Sequence, residues 1–216
     1  MRSDQTPPFD RLAAIRVVPV VVLDDPEHAE PLADALVAGG LPCAEVTFRT
    51  PAAEAAIRAL AGRTDILVGA GTIVTAAQVD RAVDAGARFL VSPGIGHDVL
   101  RRASERDIPV LPGVATASEA QTAVAAGLGR VKFFPAETTG GVGMLSALSA
   151  PFPGLRFMPS GGVNLANVTG YLAHPAVFAV GGSWMVPRDR IATGDFDAIR
   201  RLTAETVAHL GRTAGS

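Results

Sequence analysis

Short runs of Val, Ile, Leu and Phe alternate along the chain with alanine-rich stretches whose apolar residues recur at helical spacing, and the alternation returns about every twenty to twenty-five residues. The runs read as strands: VVPVVVL from Val17, CAEVTF from Cys43, DILVGAG from Asp65, RFLVSPG from Arg88, PVLPG from Pro109, RVKFFPA from Arg130, LRFMPSGG from Leu155 and VFAVGGS from Val177. Between them PEHAEPLADALVAGG, PAAEAAIRALAG, TAAQVDRAVDAGA, HDVLRRASERD and TASEAQTAVAAG read as helices. Most close on glycine, which adopts the left-handed turn past a helix end without a side-chain clash. DFDAIRRLTAETVAHL makes a last helix, and FDRLAAIR a short one ahead of the first strand.

Eight strand candidates, each followed by a helix, predict an α/β fold: a single (β/α)₈ TIM barrel with a short N-terminal helix. The barrel is expected to span residues 1–216 as one domain, with residues 1–8 a flexible N-terminus. No linker, low-complexity stretch or charge block marks a boundary. The alternative, an open doubly wound sheet, would want G-x-G-x-x-G after the first strand; none stands there, and GAGT from Gly69 is too short to serve.

Composition narrows the function. With 48% hydrophobic residues the chain can bury a sizeable core, and a net charge of −2 from 19 basic and 21 acidic residues leaves no patch for nucleic acid or an anionic membrane. The opening MRSDQTPPFD lacks the apolar core of a secretory signal, and no later segment has the roughly 18 uninterrupted apolar residues of a membrane span. A cytoplasmic protein with a small-molecule partner is expected. A single cysteine, Cys43, rules out an internal disulfide framework and reads as a small core residue. His28, His97, His174 and His209 are scattered without a close ligand pair, so neither metal nor cofactor is expected; His97, after SPGIG, reads as a loop or helix-cap residue.

In a barrel, the polar residues at the C-terminal ends of strands are the ones to examine. Glu45, Thr47 and Arg49 share parity in CAEVTFRT and would point to one face of a regular strand. If that face is the barrel interior, a carboxylate lies inside; otherwise Glu45 sits at an edge or in an ion pair. Lys132 stands in the apolar run RVKFFPA and shares parity with Phe134. A salt bridge inside the barrel, with Glu45 as one available partner, is one explanation, but such a pair is costly to bury. The other is chemical. An amine held away from water gives up its proton more readily, and the free amine is the nucleophile that forms imines with ketones. Finally, SGG (Ser160 to Gly162) and GGS (Ser183 its last residue) end the seventh and eighth strands, where glycine lets backbone N–H groups converge on an anion and where phosphate-binding barrels hold phosphate.

The motifs EVTFRT, GAGT, SPG, PGVAT, VKFFPAE, PSGGV and VGGSWMV stand in order and closely resemble those of the 2-keto-3-deoxy-6-phosphogluconate (KDPG) aldolases, many of which also act on 2-keto-4-hydroxyglutarate (KHG). The resemblance runs from about Val17 to the final helix. It implies a metal-independent, cofactor-free class I aldolase on a (β/α)₈ barrel, usually trimeric. It also implies roles: Lys132 as the imine-forming lysine, Glu45 as general acid/base, and Arg49 and Thr72 as holders of the pyruvyl carboxylate. Pro93 and Phe134 would line the pocket, and Gly161, Gly162 and Ser183 would form the phosphate turns. The phosphogalactonate aldolases tend to lack the arginine of TFRT, so that motif favours the gluconate-type substrate; PSGGV has serine where some relatives carry threonine. The alternatives are a phosphogalactonate aldolase, another phosphosugar barrel such as an isomerase or epimerase, and a non-catalytic phosphosugar binder. None but an imine-forming aldolase needs a lysine inside strand six.

Overall fold

The computed structural model describes residues 7–213. The first helix α1 (Pro8–Ile15) precedes β1 (Val17–Val21). There follow α2 (Ala29–Gly39), β2 (Cys43–Thr47), α3 (Ala53–Leu60), β3 (Leu67–Gly71), α4 (Ala76–Asp84), β4 (Leu90–Val91) and α5 (His97–Glu105). The second half continues with β5 (Val110–Leu111), β6 (Gly113–Val114), α6 (Ala117–Ala125), β7 (Arg130–Phe133), α7 (Gly141–Ser149), β8 (Arg156–Pro159) and α8 (Val168–Leu172), then β9 (Val180–Gly182), α9 (Arg188–Ala192) and α10 (Phe196–Thr213). Of the eight N-terminal residues expected to be flexible, 1–6 lie outside the described residues, whereas Pro7 caps α1 and Pro8 begins it. Proline suits that place because a first-turn N–H has no helical acceptor. No helix among the described residues is long and apolar enough to cross a membrane.

Every ladder is parallel, as helical crossovers require. The regular ladders do not form one uninterrupted eight-strand ring. They fall into a six-stranded sheet, β5-β4-β3-β2-β1-β9, and a three-stranded sheet, β6-β7-β8. At one seam the fifth strand candidate is split at Pro112, which has no N–H to give but whose carbonyl accepts from the Lys132 amide at 2.9 Å. At the other, single bridges Phe157↔Val177 and Ser160↔Gly181 join β8 to the start and end of the last strand candidate. The sheet therefore curls round as a TIM barrel with two weakly laddered seams.

Inside it, Val18, Cys43, Leu67, Phe89, Val91, Leu111, Met158 and Ala179 pack together, and Leu12 of α1 plugs the end at which the strands begin. Gly69 leaves the space that the Phe89 ring fills; a Cβ there would meet the ring at 2.4 Å. The larger cluster, with Val46, Val68, Val131, Phe133 and Phe157, lies between strands and helices. Helix ends follow the glycine pattern at Gly40, Gly86 and Gly127, all with positive φ; Asp107 takes the same conformation after α5 at φ 50°. Helices α7, α8 and α9 correspond to no stretch singled out above: α7 opens on glycine and is apolar on most sides, and α8 and α9 have only 5 residues each.

Candidate active site

The interior is apolar where the strands begin and polar where they end. Cys43 faces the interior cluster, so Glu45, two residues on, faces the same way. Its side chain is 1% exposed. Across the barrel Lys132 occupies β7 between Gly113 of β6 and Met158 of β8, its partners in register, with its side chain 5% exposed. Lys132 Nζ lies 3.5 Å from Glu45 Oε1 and 5.0 Å from the centroid of the Phe134 ring. A strong ammonium–carboxylate hydrogen bond runs about 2.7–2.9 Å. The amine is thus held beside the carboxylate without being clamped to it, and Glu45 Oε2 is buried with no hydrogen-bond partner in the protein. A buried carboxylate oxygen left open in this way is a place for a substrate hydroxyl or a water.

Two glycines make the arrangement possible. A Cβ on Gly71 would stand 2.3 Å from Glu45 Oε1, and one on Gly113 would stand 2.1 Å from the Pro93 carbonyl. The first gives the carboxyl its space; the second lets the loop bearing Pro93 close against the strand next to Lys132. Ser92 tightens that loop by donating its hydroxyl to the Gly94 carbonyl at 2.7 Å.

Arg49 lies past the end of β2, in the turn that follows Thr47, so the regular strand that would align it with Glu45 stops short. Thr47 instead donates its hydroxyl to the Val21 carbonyl at 2.8 Å. The Arg49 guanidinium still reaches the site, because its Nε donates to Thr72 Oγ1 at 3.2 Å and Thr72 follows Gly71 directly. Thr72 has φ 59°, a left-handed backbone rare for a residue with a branched side chain.

At the rim, the Phe134 ring packs on Gly161, where a Cβ would meet it at 3.1 Å, and the bridge Ser160↔Gly181 sets the two glycine turns side by side. Gly162 and Ser183 are exposed. Among the described residues the amides of Gly162 and Ser183 have no protein acceptor. Direct contacts thus tie Lys132 to Glu45 and Phe134, Phe134 to Gly161, and Arg49 to Thr72, while Pro93 packs on Gly113, the register partner of Lys132, and Ser183 stands two residues past the bridge at Gly181.

His28, His97, His174 and Cys43 stay out of it. His97 begins α5 on the surface, His28 packs edge-on against Phe196, and His174 Nδ1 accepts from the Ala176 amide. Among the described residues no three His, Cys, Asp or Glu side chains gather as a metal-ligand group. Cys43 is fully buried and burial pushes its thiol well above the usual range, as befits an inert core residue.

A family model described as KDPG and KHG aldolase matches residues 9–202. The chain belongs to this family. This KDPG/KHG aldolase family member is 47% identical over 204 residues to the 2-dehydro-3-deoxy-phosphogluconate aldolase of Treponema pallidum (strain Nichols), covering 94% of this chain and 97% of the relative. To the KHG/KDPG aldolase of Escherichia coli (strain K12) it is 47% identical over 192 residues, 88% of this chain and 90% of the relative. Among solved structures, the KDPG aldolase from Legionella pneumophila with pyruvate captured as a covalent carbinolamine intermediate superposes with a TM-score of 0.89 at 43% identity, covering 94% of this chain and 98% of that one.

Two glycines of the site carry no signal of their own in the sequence. Gly71 and Gly113 sat inside quoted motifs with no task given to them. A plainer signal is in the counts: Lys132 is the one lysine among 19 basic residues, all the others being arginine.

Proposed function

We propose that this protein is a class I aldolase that cleaves 2-keto-3-deoxy-6-phosphogluconate to pyruvate and glyceraldehyde 3-phosphate through an imine on Lys132. The observation that carries the reading is the buried Lys132–Glu45 pair at 3.5 Å, formed by the chain's sole lysine. Every other Lys/Arg position is an arginine, whose guanidinium stays charged and cannot become a nucleophile near neutral pH. An amine is indispensable only where its lone pair is used. The carbinolamine captured in the Legionella pneumophila relative supports the same chemistry.

In this mechanism the Lys132 amine attacks the C2 ketone to give a carbinolamine, and loss of water yields a protonated imine. Glu45, directly or through a water, takes the proton from the C4 hydroxyl. The electrons of the breaking C3–C4 bond flow to the imine nitrogen, leaving an enamine, and the aldehyde departs. Glu45 returns the proton to C3, and water hydrolyses the imine to release pyruvate and free amine. The open Glu45 Oε2 supports this shuttle, since nothing in the protein competes for it. Arg49, with Thr72, suits the pyruvyl carboxylate because a guanidinium can give two parallel hydrogen bonds. Pro93 and Phe134 line the pocket, and the amides of Gly161, Gly162 and Ser183 receive the phosphate. The same floor would cleave 2-keto-4-hydroxyglutarate to pyruvate and glyoxylate without using those amides. We place the enzyme in the cytoplasm as a homotrimer; light scattering on the purified protein checks the assembly, and a monomeric mass would remove the trimer.

Borohydride reduction in the presence of pyruvate, followed by peptide mapping, tests the reading. The expected result is a stable pyruvyl adduct on Lys132, absent from Lys132→Arg, with turnover of that variant down on the order of 10⁴-fold or more. The only competing amine is the N-terminus. No adduct, or one confined to the N-terminus, would sink the imine mechanism.

A further inference from the structure

The turn Ser160–Gly162 has all three of its carbonyls engaged. Ala136 N–H donates to the Ser160 carbonyl at 2.8 Å and Glu137 N–H to the Gly161 carbonyl at 3.0 Å, extending the β7–β8 pairing past both strands. The Gly162 carbonyl accepts from two side-chain amides, Asn164 Nδ2 at 3.1 Å and Asn167 Nδ2 at 3.2 Å. The two asparagines also brace each other's segment: Asn167 Oδ1 accepts from the Asn164 amide at 2.8 Å, and Asn164 Oδ1 accepts from the Ala166 amide at 2.9 Å. With the three carbonyls held, the amide of Gly162, a residue at positive φ like Gly161, is left without a protein acceptor.

Glu137 backs the turn from beneath. A Cβ on Gly162 would meet Glu137 Cβ and Cγ at 2.6 Å, so the stem of Glu137 lies against the glycine backbone. Its carboxylate is tied by a short hydrogen bond from the hydroxyl of Tyr171, a fully buried residue of α8. Burial and that carboxylate push the phenol above its ordinary range, so it stays the donor throughout the working pH range.

From this geometry we infer that Asn164, Asn167 and the Tyr171–Glu137 pair are positioning residues that preorganise the phosphate turn and so set the preference for a phosphorylated substrate. The inference rests on the phosphate-binding role proposed above for Gly161 and Gly162. None of the four side chains is assigned to the reacting atoms; each acts through the backbone that it holds. An anion-binding turn made of amides is effective only if the amides are already aimed, because reorienting a peptide when the ligand arrives sets the cost of ordering against each hydrogen bond gained.

Asn167→Ala and Tyr171→Phe test this. Removing one brace should raise KM for the phosphorylated substrate by about tenfold, the equivalent of one hydrogen bond to the ligand, while kcat changes by less than about twofold. The rate of borohydride trapping with pyruvate, which carries no phosphate, should stay within about twofold of the parent enzyme. An unchanged KM in both variants, or a parallel fall in trapping and turnover that marks general loss of folded enzyme, would overturn the assignment. Failure of the parent enzyme to form the adduct would instead count against the aldolase reading.

Discussion

At the scale of single residues, the site depends as much on what is missing as on what is present. Glu45 can lie inside the barrel because Gly71 has no side chain, and the loop bearing Pro93 can approach because Gly113 has none. Gly71→Ala should push the carboxyl aside and lower kcat by about 100-fold, since a displacement of about 1 Å at a reacting group has that effect. Pyruvate trapping on Lys132 should survive, because imine formation begins with the amine. A variant with unaltered kcat would show that Glu45 has freedom the packing does not suggest. Lys132 was conspicuous in the sequence as a cation in an apolar run, and its being the sole lysine made it more so. The glycines were legible only as turn formers, because what a glycine avoids touching is a property of the folded neighbour.

At the scale of elements, the outer layer is laced by ion pairs whose members come from different helices. Asp80 of α4 meets Arg102 of α5 and Arg106 just beyond it, at 2.8 and 2.5 Å. The Arg102 guanidinium, and then Arg106, hold the Asp80 carboxyl below its usual value. A carboxyl whose folded pKa is depressed adds stability above its unfolded pKa, near 3.9, and that contribution is lost as pH falls through the lower folded value. The melting temperature of the parent protein should therefore drop more steeply below about pH 4 than that of Asp80→Asn, and added salt should shrink the difference. Identical acid limbs would mean that solvent screens the pair completely. The helices themselves were readable where glycine or a capping box punctuated them, as at Thr116 with Glu119. The short α8 was not, yet it carries Tyr171 to Glu137, because five residues show too little periodicity to be told from a loop.

At the scale of the whole molecule, the barrel is laddered unevenly. Five residue pairs join β2 to β3, whereas single bridges join β8 to the last strand. The amide of Phe178, which donates to the Phe157 carbonyl across that seam, should exchange with solvent at least about tenfold faster than the amides between β2 and β3. Equal protection would show that the seam opens only with the whole fold. The sequence by itself determined the alternation of strands and helices, hence the barrel, and it marked the strand ends at which the polar residues stand. Period and composition are local properties, and they can be read without coordinates. Only the tertiary structure decided that Glu45 and Lys132, 87 residues apart in the chain, meet at 3.5 Å, that Arg49 reaches Thr72 from a turn, and that two asparagines hold the Gly162 carbonyl. Those pairings depend on how the curled sheet sets the register of distant strands, and no local pattern encodes that register.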